Sequence, residues 1–390
     1  MFSETGGGAT SAVIILALKV SYLDNMKYFV YYAAFLSFEI AVISVPKMLY
    51  AEDRPYWNDT RLAGNEENCS KEFGNPSGHT ILAVGIATLA CTDMWRALNA
   101  KRIRGGLSLG AFIAILVVTV PLSIFYVYAM AASRVITGAH ATNQVVYAVF
   151  LGFWAAFSFI LIVREPLFAE VEYLQSISIS KDAGETETRE LKEKRNSVLI
   201  KRWVIGTLAF VVLALLQLGA YWISKPYATI SDLTLANIRY QCEEPELTRD
   251  DLGNNVSLKQ VGLSIVGYGA YAGLLIQVGC FGTYSEMAQP EKYWFAKGLG
   301  RLGVLIPIMI IPLFLLVALP FKNPTMNMLF KKGVPTWLLL AAIGGFFDVL
   351  CFKWGLWDNK ENQKDAGLRE KEAKEKGELE LKQDVGHSMQ

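Results

Sequence analysis

Nine apolar blocks divide this chain of 390 residues, and its polar residues collect between them and at the C-terminal end. The blocks lie at 9–22, 28–45, 81–98, 107–132, 145–163, 204–223, 261–281, 302–319 and 334–350. A helix needs about 20 apolar residues to cross a bilayer, and inside the bilayer the backbone must satisfy its own hydrogen bonds. The pattern therefore predicts an all-α fold, a polytopic membrane helix bundle of about nine spans. A composition 53% hydrophobic and 19% charged agrees with it. Block 9–22 is short and contains Lys19, and 28–45 contains Glu39. No cleavable leader is evident at residues 1–8, so the first block is expected to stay as a span. Pro307, Pro312 and Pro335 are tolerable where neighbouring helices re-satisfy the backbone.

Charge orients the bundle. Lys101, Arg102 and Arg104 cluster after the third block, and Lys192, Lys194, Arg195, Lys201 and Arg202 before the sixth. By the positive-inside rule these loops are cytosolic, as is the Glu- and Lys-rich tail. Lys322, Lys331 and Lys332 then fall on the far side, against the rule. The segments 47–78, 132–142 and 225–258 face away from the cytosol. Asn58 and Asn68 are expected to be glycosylated there, and Asn255 heads a third sequon. The expected organisation is N-terminal spans at 1–46, a core at 47–163, a cytosolic loop at 164–202, C-terminal spans at 203–353 and a charged cytosolic tail at 354–390.

The same composition excludes other classes. Net charge is +1 and no basic stripe with interleaved aromatics appears, so no nucleic-acid partner is expected. The five cysteines lack CxxC spacing, which argues against a zinc site; no metal and no cofactor are expected. Cys69 and Cys242 lie in loops placed in one oxidising compartment, so they are candidates to pair; free or differently paired thiols are the alternative.

Three stretches at span ends carry the chemistry. The first runs from Lys47 to Trp57 and holds Lys47 and Arg54. Taken singly, such cations usually snorkel to headgroups. The second is Pro76-Ser77-Gly78-His79, before the third span. Amides at a helix start receive anions, Ser77 adds a hydroxyl, and His79 is placed to protonate a leaving oxygen. The third runs from Ser133 to Gln144, with Arg134, Gly138 and His140. Gly138 permits a tight path that turns Arg134 and His140 toward one point. His140 and Gln144 are four residues apart, on one helical face. Together the stretches supply two arginines, one lysine and two of the chain's three histidines on one membrane face. That set suits phosphate monoester hydrolysis through a phosphohistidine, with cations and amides on the phosphoryl oxygens, one histidine attacking and the other protonating the alcohol.

Lys-x6-Arg-Pro, Pro-Ser-Gly-His and Ser-Arg-x5-His, in that order, resemble the type-2 phosphatidic acid phosphatase superfamily over residues 47–144. The resemblance implies a phosphatase helical core. It implies Lys47, Arg54 and Arg134 as phosphate ligands, Ser77 and Gly78 as further donors, His79 as general acid and His140 as nucleophile. Where most of that superfamily carries an aspartate four residues after the nucleophile, this chain has Gln144. Its amide oxygen is expected to accept the imidazole N–H and orient the ring without adding charge.

His140-x3-Gln144-Val145-Val146, Arg54-Pro55-Tyr56-Trp57 and Cys242-Glu243-Glu244-Pro245-Glu246 are similar to stretches of glucose-6-phosphatases, as are the span count and cytosolic tail. That similarity implies a multi-pass endoplasmic-reticulum membrane enzyme with a lumenal active site and a metal-independent mechanism. It also implies a small-molecule sugar phosphate substrate, most simply glucose 6-phosphate, and functional coupling to a glucose 6-phosphate translocase. The C-terminal residues lack the dilysine retrieval ending of some members. Two alternatives stay open: a lipid or sphingoid phosphate phosphatase of the same superfamily, and a non-enzymatic membrane protein or transporter on the same fold.

Overall fold

A computed structural model describes residues 25–62, 69–178, 189–281, 287–288, 294–318, 326, 330, 332–356 and 358–359. The regular secondary structure described is helical apart from a two-residue antiparallel pair, Met287–Ala288 (β1) against Asp358–Asn359 (β2). Helix α1 spans Asn25–Tyr50, followed by the short α2 (Pro55–Asn58), α3 (Gly78–Ile103) and α4 (Leu109–Ile136). Helix α5 (Thr142–Ser158) continues through a π turn at Phe159–Val163 into α6 (Arg164–Ser176). Then come α7 (Arg189–Ser224), α8 (Asp232–Gln241), α9 (Asn254–Val261), α10 (Val266–Ile276), α11 (Trp294–Ala318) and α12 (Val334–Lys353).

Among the described residues, seven helical stretches are long and apolar enough to cross a membrane. Of the other two apolar blocks, 9–22 lies outside the described residues, and 302–319 falls largely within α11. The charged segment 164–202, read from its sequence as an exposed loop or short helix without apolar periodicity, is helical at both ends, as α6 and the start of α7. An apolar stripe was legible there: Val171 and Leu174 sit one turn apart on α6 and both are buried. Many charges around a short stripe hid the periodicity.

Helix α1 is the axis of the bundle, touching α3, α5, α6, α7, α9 and α10. Its Phe29, Val30, Tyr31, Tyr32, Ala33 and Phe35 are all buried. Lipid tails are as apolar as leucine, so close packing rather than expulsion from water holds such helices together. Helices α10 and α12 meet through small residues: a Cβ on Gly273 would come within 2.8 Å of Ala341 O and Gly344 Cα. By contrast α4 exposes Ile113, Val117, Leu122 and Phe125, and α7 exposes Leu208, Val212 and Leu215. These bare apolar faces suit lipid contact.

One end of the bundle carries a cap. The segment formed by 51–62 and 69–74 and the segment 225–253 bury Tyr56, Trp57 and Phe73 against Ile230, Leu235, Ile238, Leu247 and Leu252. A Cys69–Cys242 disulfide clasps them, with Cα atoms 5.5 Å apart. Asn237 donates to Trp57 O (3.0 Å), Gln241 to Thr60 O (2.9 Å) and the Gly253 amide to Lys71 O (2.7 Å). The two segments therefore lie on the same side of the bundle. The basic run Lys101–Arg104 lies at the opposite end of α3 from Gly78.

Candidate active site

The three motif stretches converge beneath this cap. Lys47 lies in the last turn of α1, and Arg54 follows as the N-cap of α2. Ser77 caps α3, Arg134 lies in the last turn of α4, and His140 lies between α4 and α5. Gly138 makes the turn that the sequence suggested. Its φ of +67° is left-handed, a conformation glycine adopts freely, and the His140 amide then donates back to Arg134 O at 3.0 Å.

His140 is buried and held at both ring nitrogens. Nδ1 lies 2.7 Å from Gly74 O, and Nε2 lies 3.2 Å from Arg54 Nη1. A carbonyl only accepts and a guanidinium only donates. The ring is therefore the Nδ1–H tautomer, with the Nε2 lone pair facing Arg54. Burial, followed by the charges of Arg54, Lys47 and Arg134, pushes its pKa well below the ordinary imidazole value; the Gly74 hydrogen bond opposes this. The ring is neutral at pH 7, with Nε2 available as a nucleophile.

Arg54 is aimed by backbone carbonyls: Nε donates to Glu72 O (2.6 Å), Nη1 to Ala139 O (2.9 Å) and Nη2 to Phe73 O (3.5 Å). Lys47 is buried and pairs with Glu72 at 2.6 Å. Burial alone would raise the Glu72 carboxyl, but Lys47, Arg54 and His79 outweigh it and hold Glu72 below its usual range. His79, the second residue of α3 and half-buried, thus shares the same electrostatic field. Arg134 is buried, and its Nε has no hydrogen-bond partner among the described residues. Three buried cations thus face one carboxylate, leaving a surplus of positive charge where an anion fits.

Two expected roles change with this geometry. Gln144 does not hold the His140 ring; Gly74 O does. The Gln144 amide instead accepts from the Ala141 amide (3.2 Å), closing the first turn of α5, and donates to Asp53 O (3.0 Å). It also packs on Gly74, where a Cβ would lie 2.6 Å from Gln144 Oε1. Gln144 thus positions both the Arg54 segment and the carbonyl that orients His140. The Ser77 hydroxyl is fully buried against Thr80 Oγ1 (3.0 Å), and its amide points at Gln144 O (3.4 Å). Gly78 is left as the first helical residue, where amides have no intrahelical acceptor.

Sequence reasoning missed Glu72, Gly74 and Glu52. Glu52 accepts from Asn75 (2.7 Å) and Asn143 (3.4 Å), tying the second and third motifs together, and its carbonyl accepts from the Gly74 amide (2.7 Å). These residues stand outside any motif spacing, and only the Gly before the Asn-Pro turn was a signal. Of the glycosylation candidates, Asn58 is exposed at the end of α2, and Asn68 lies outside the described residues. Asn255 is half-buried and accepts from Tyr221 OH at 2.8 Å. Among the described residues no group of three His, Cys, Asp or Glu side chains is placed to hold a metal.

Residues 26–167, just over a third of the chain, match the family model of the PAP2 superfamily, whose members are phosphatases. The match encloses all three motifs and supports a phosphoric monoester hydrolase in general. No curated protein and no solved structure matches.

Proposed function

We propose that this protein is a multi-pass endoplasmic-reticulum membrane phosphatase that hydrolyses a sugar phosphate, glucose 6-phosphate first, at a lumenal site. The single observation that carries the chemistry is the His140 ring, fixed as the Nδ1–H tautomer with Nε2 beside Arg54 among surplus buried cations. The incoming phosphoryl group draws Arg54 off Nε2 and takes charge from Lys47, Arg54 and Arg134, with the Gly78 amide as a further donor. His140 Nε2 forms a bond to phosphorus as the ester P–O bond breaks, and His79 gives its proton to the leaving sugar oxygen. Water then attacks the phosphohistidine, His79 takes its proton, and the P–N bond breaks to release phosphate.

Three observations support the sugar-phosphate reading over a lipid one. Gln144, the Arg54-Pro55-Tyr56-Trp57 run and the Cys242–Glu246 stretch are similar to glucose-6-phosphatases. The last of these packs on the motif loop through the disulfide and a Lys71–Glu244 pair at 2.6 Å. A disulfide persists in an oxidising compartment, which supports a lumenal cap. Coupling to a sugar-phosphate translocase follows from the same reading, since a lumenal site needs its charged substrate delivered. The test is phosphate release by detergent-solubilised protein from glucose 6-phosphate against a short-chain lipid phosphate. The expected result is a higher kcat/KM for glucose 6-phosphate; preference for the lipid substrate overturns the sugar reading and keeps the phosphatase.

A further inference from the structure

The family match ends at residue 167, yet the second half of the chain reaches the phosphate site through two neighbouring residues. They are Gly253, just before α9, and Asn254, its first residue. The Gly253 amide donates to Lys71 O at 2.7 Å, and Asn254 Nδ2 donates to Met48 O at 3.4 Å. Lys71 adjoins Glu72 and Met48 adjoins Lys47, the two members of the buried ion pair. One dipeptide thus holds the backbone beside both partners.

On the Glu72 side, every carbonyl from Ser70 to Gly74 accepts a hydrogen bond. Glu72 O and Phe73 O take Arg54, and Gly74 O takes the His140 ring. The outer anchors of this stretch come from the second half of the chain: the Gly253 amide, the Cys69–Cys242 disulfide and the Lys71–Glu244 pair. Position 253 also demands glycine. Its φ is +58°, and a Cβ there would lie 2.9 Å from Phe73 Cε2 and 3.3 Å from Ile230 Cδ1. On the Lys47 side, α1 ends at Tyr50, and the last carbonyls of a helix have no donor within it. Asn254 serves Met48 O, and Tyr227 OH serves Leu49 O at 2.9 Å. Asn254 is itself buried and donates to Ser224 Oγ at 2.6 Å, which fixes its side chain.

We propose that Gly253 and Asn254 are positioning residues of the phosphatase site. Gly253 holds the carbonyls that aim Arg54 and His140, and Asn254 holds the end of α1 that presents Lys47. The inference rests on the phosphatase reading and makes the second half of the chain a working part of the site. It also separates two defects. Displacing Phe73 disturbs the Gly74 carbonyl and hence the nucleophile, whereas freeing Met48 O disturbs a phosphate ligand.

The test uses the full chain in detergent, with NMR of the ring nitrogens of its three histidines, kinetics on glucose 6-phosphate and calorimetry with inorganic phosphate. Gly253→Ala should lower kcat about 10- to 100-fold, the scale of a misplaced reacting group, and turn the single Nδ1–H tautomer of His140 into a mixture. Asn254→Ala should weaken binding of inorganic phosphate about fivefold, the scale of one hydrogen bond, and raise KM more than it lowers kcat. Gln241→Ala, which breaks the bond to Thr60 O elsewhere in the cap, is the control; it should lower the melting temperature and produce neither defect. A single tautomer with parental kcat in Gly253→Ala, parental phosphate affinity in Asn254→Ala, or the same defects in Gln241→Ala overturns the proposal. If Gly253→Ala fails to fold, reducing the Cys69–Cys242 disulfide in the folded parent frees the other end of the same stretch and should also mix the tautomers; an unchanged ring then overturns it. If the parent protein releases no phosphate, the phosphatase reading fails, and the ring tautomer still shows whether Gly253 positions His140.

Discussion

The same helices bury charge at both ends, in two different ways. At the cap end, Lys47, Arg54 and Arg134 are buried around one carboxylate, Glu72, and the neutral His140. At the other end, Arg164 donates to Asp93 at 3.0 Å, Tyr32 OH donates to the second Asp93 oxygen at 3.2 Å, and the guanidinium stacks 4.4 Å from the Phe168 ring. Arg96 reaches Glu165 beside it at 3.4 Å. The far cluster is matched in charge and its partners are side chains of neighbouring helices. The cap cluster is unmatched, and its cations are aimed largely by backbone carbonyls. A matched buried cluster has nothing to gain from a ligand, whereas an unmatched one is relieved by an anion. Buried charge alone therefore does not mark a site; surplus of one sign, held by groups that cannot neutralise it, does.

Breaking the unmatched cluster should remove chemistry and leave the fold. His140→Ala is expected to cost about 10³-fold or more in kcat and to abolish an acid-labile, base-stable phosphoenzyme. Substantial turnover without a phosphoenzyme in the parent protein would overturn covalent catalysis. Arg54→Ala is expected to cost about 10²–10³-fold, read as kcat/KM. Arg54→Lys should recover little of it, because a lysine cannot reach Glu72 O, Ala139 O and the phosphoryl group together.

Breaking the matched cluster should do the reverse. Asp93→Ala leaves the buried Arg164 guanidinium with only the exposed Glu165 carboxylate as counter-charge, at a cost of about 3 kcal/mol, the low end for a broken buried pair. The melting temperature in detergent should fall while kcat of the folded fraction holds. Equal damage to kcat and stability would erase the contrast between the two ends.

The contrast was half legible in the chain. The spacing of Lys47, Arg54, His79, Arg134 and His140 marked the unmatched cluster, because a phosphate site needs several cations and such residues are rare at span ends. Asp93 and Arg164 lie 71 residues apart on different helices, with no motif to join them. The apolar blocks gave the spans, since length and hydropathy suffice. They left the α6 segment open between an exposed loop and a short helix, because its short buried stripe is outweighed by charge. Nor did spacing give the Gly74 acceptor: four residues from His140 to Gln144 places both on one face, but a carbonyl from another segment reached the ring first.

Gln144 offers a smaller, sharper test, because it touches the unmatched cluster only through the backbone. Gln144→Asp loses the N–H that Asp53 O accepts, and its shorter chain abandons the Ala141 amide. We expect about a tenfold fall in kcat/KM, the scale of one hydrogen bond to a positioned segment. Gly74→Ala should fall alongside it, since its Cβ meets the same amide at 2.6 Å. Undiminished activity in Gln144→Asp would show that a carboxylate reaches the His140 ring directly.

The smallest effect expected is in pH dependence, and it reads the burial of His140 together with the surplus charge around it. A free histidine titrates near pH 6.5, but in the folded protein burial and the charges of Arg54, Lys47 and Arg134 depress the His140 pKa. The folded protein therefore binds fewer protons than the unfolded chain as pH falls below about 6.5, so this residue lowers stability progressively from there toward its own folded pKa. Down to that pKa the nucleophile stays neutral. The free enzyme's kcat/KM should thus show no loss near pH 6.5 from His140; a limb there belongs to the general acid His79 or to the second ionisation of the phosphate substrate. Lys47→Gln removes one of the depressing charges and leaves the ring buried, so the His140 limb should move toward higher pH. It also frees the Glu72 carboxyl, whose pKa then rises, because the largest remaining influence on it is burial. Following the His140 ring by NMR across pH 4–8 separates the two groups. An imidazole that titrates at its ordinary value in the parent protein would mean that the ring is neither buried nor faced by unneutralised cations.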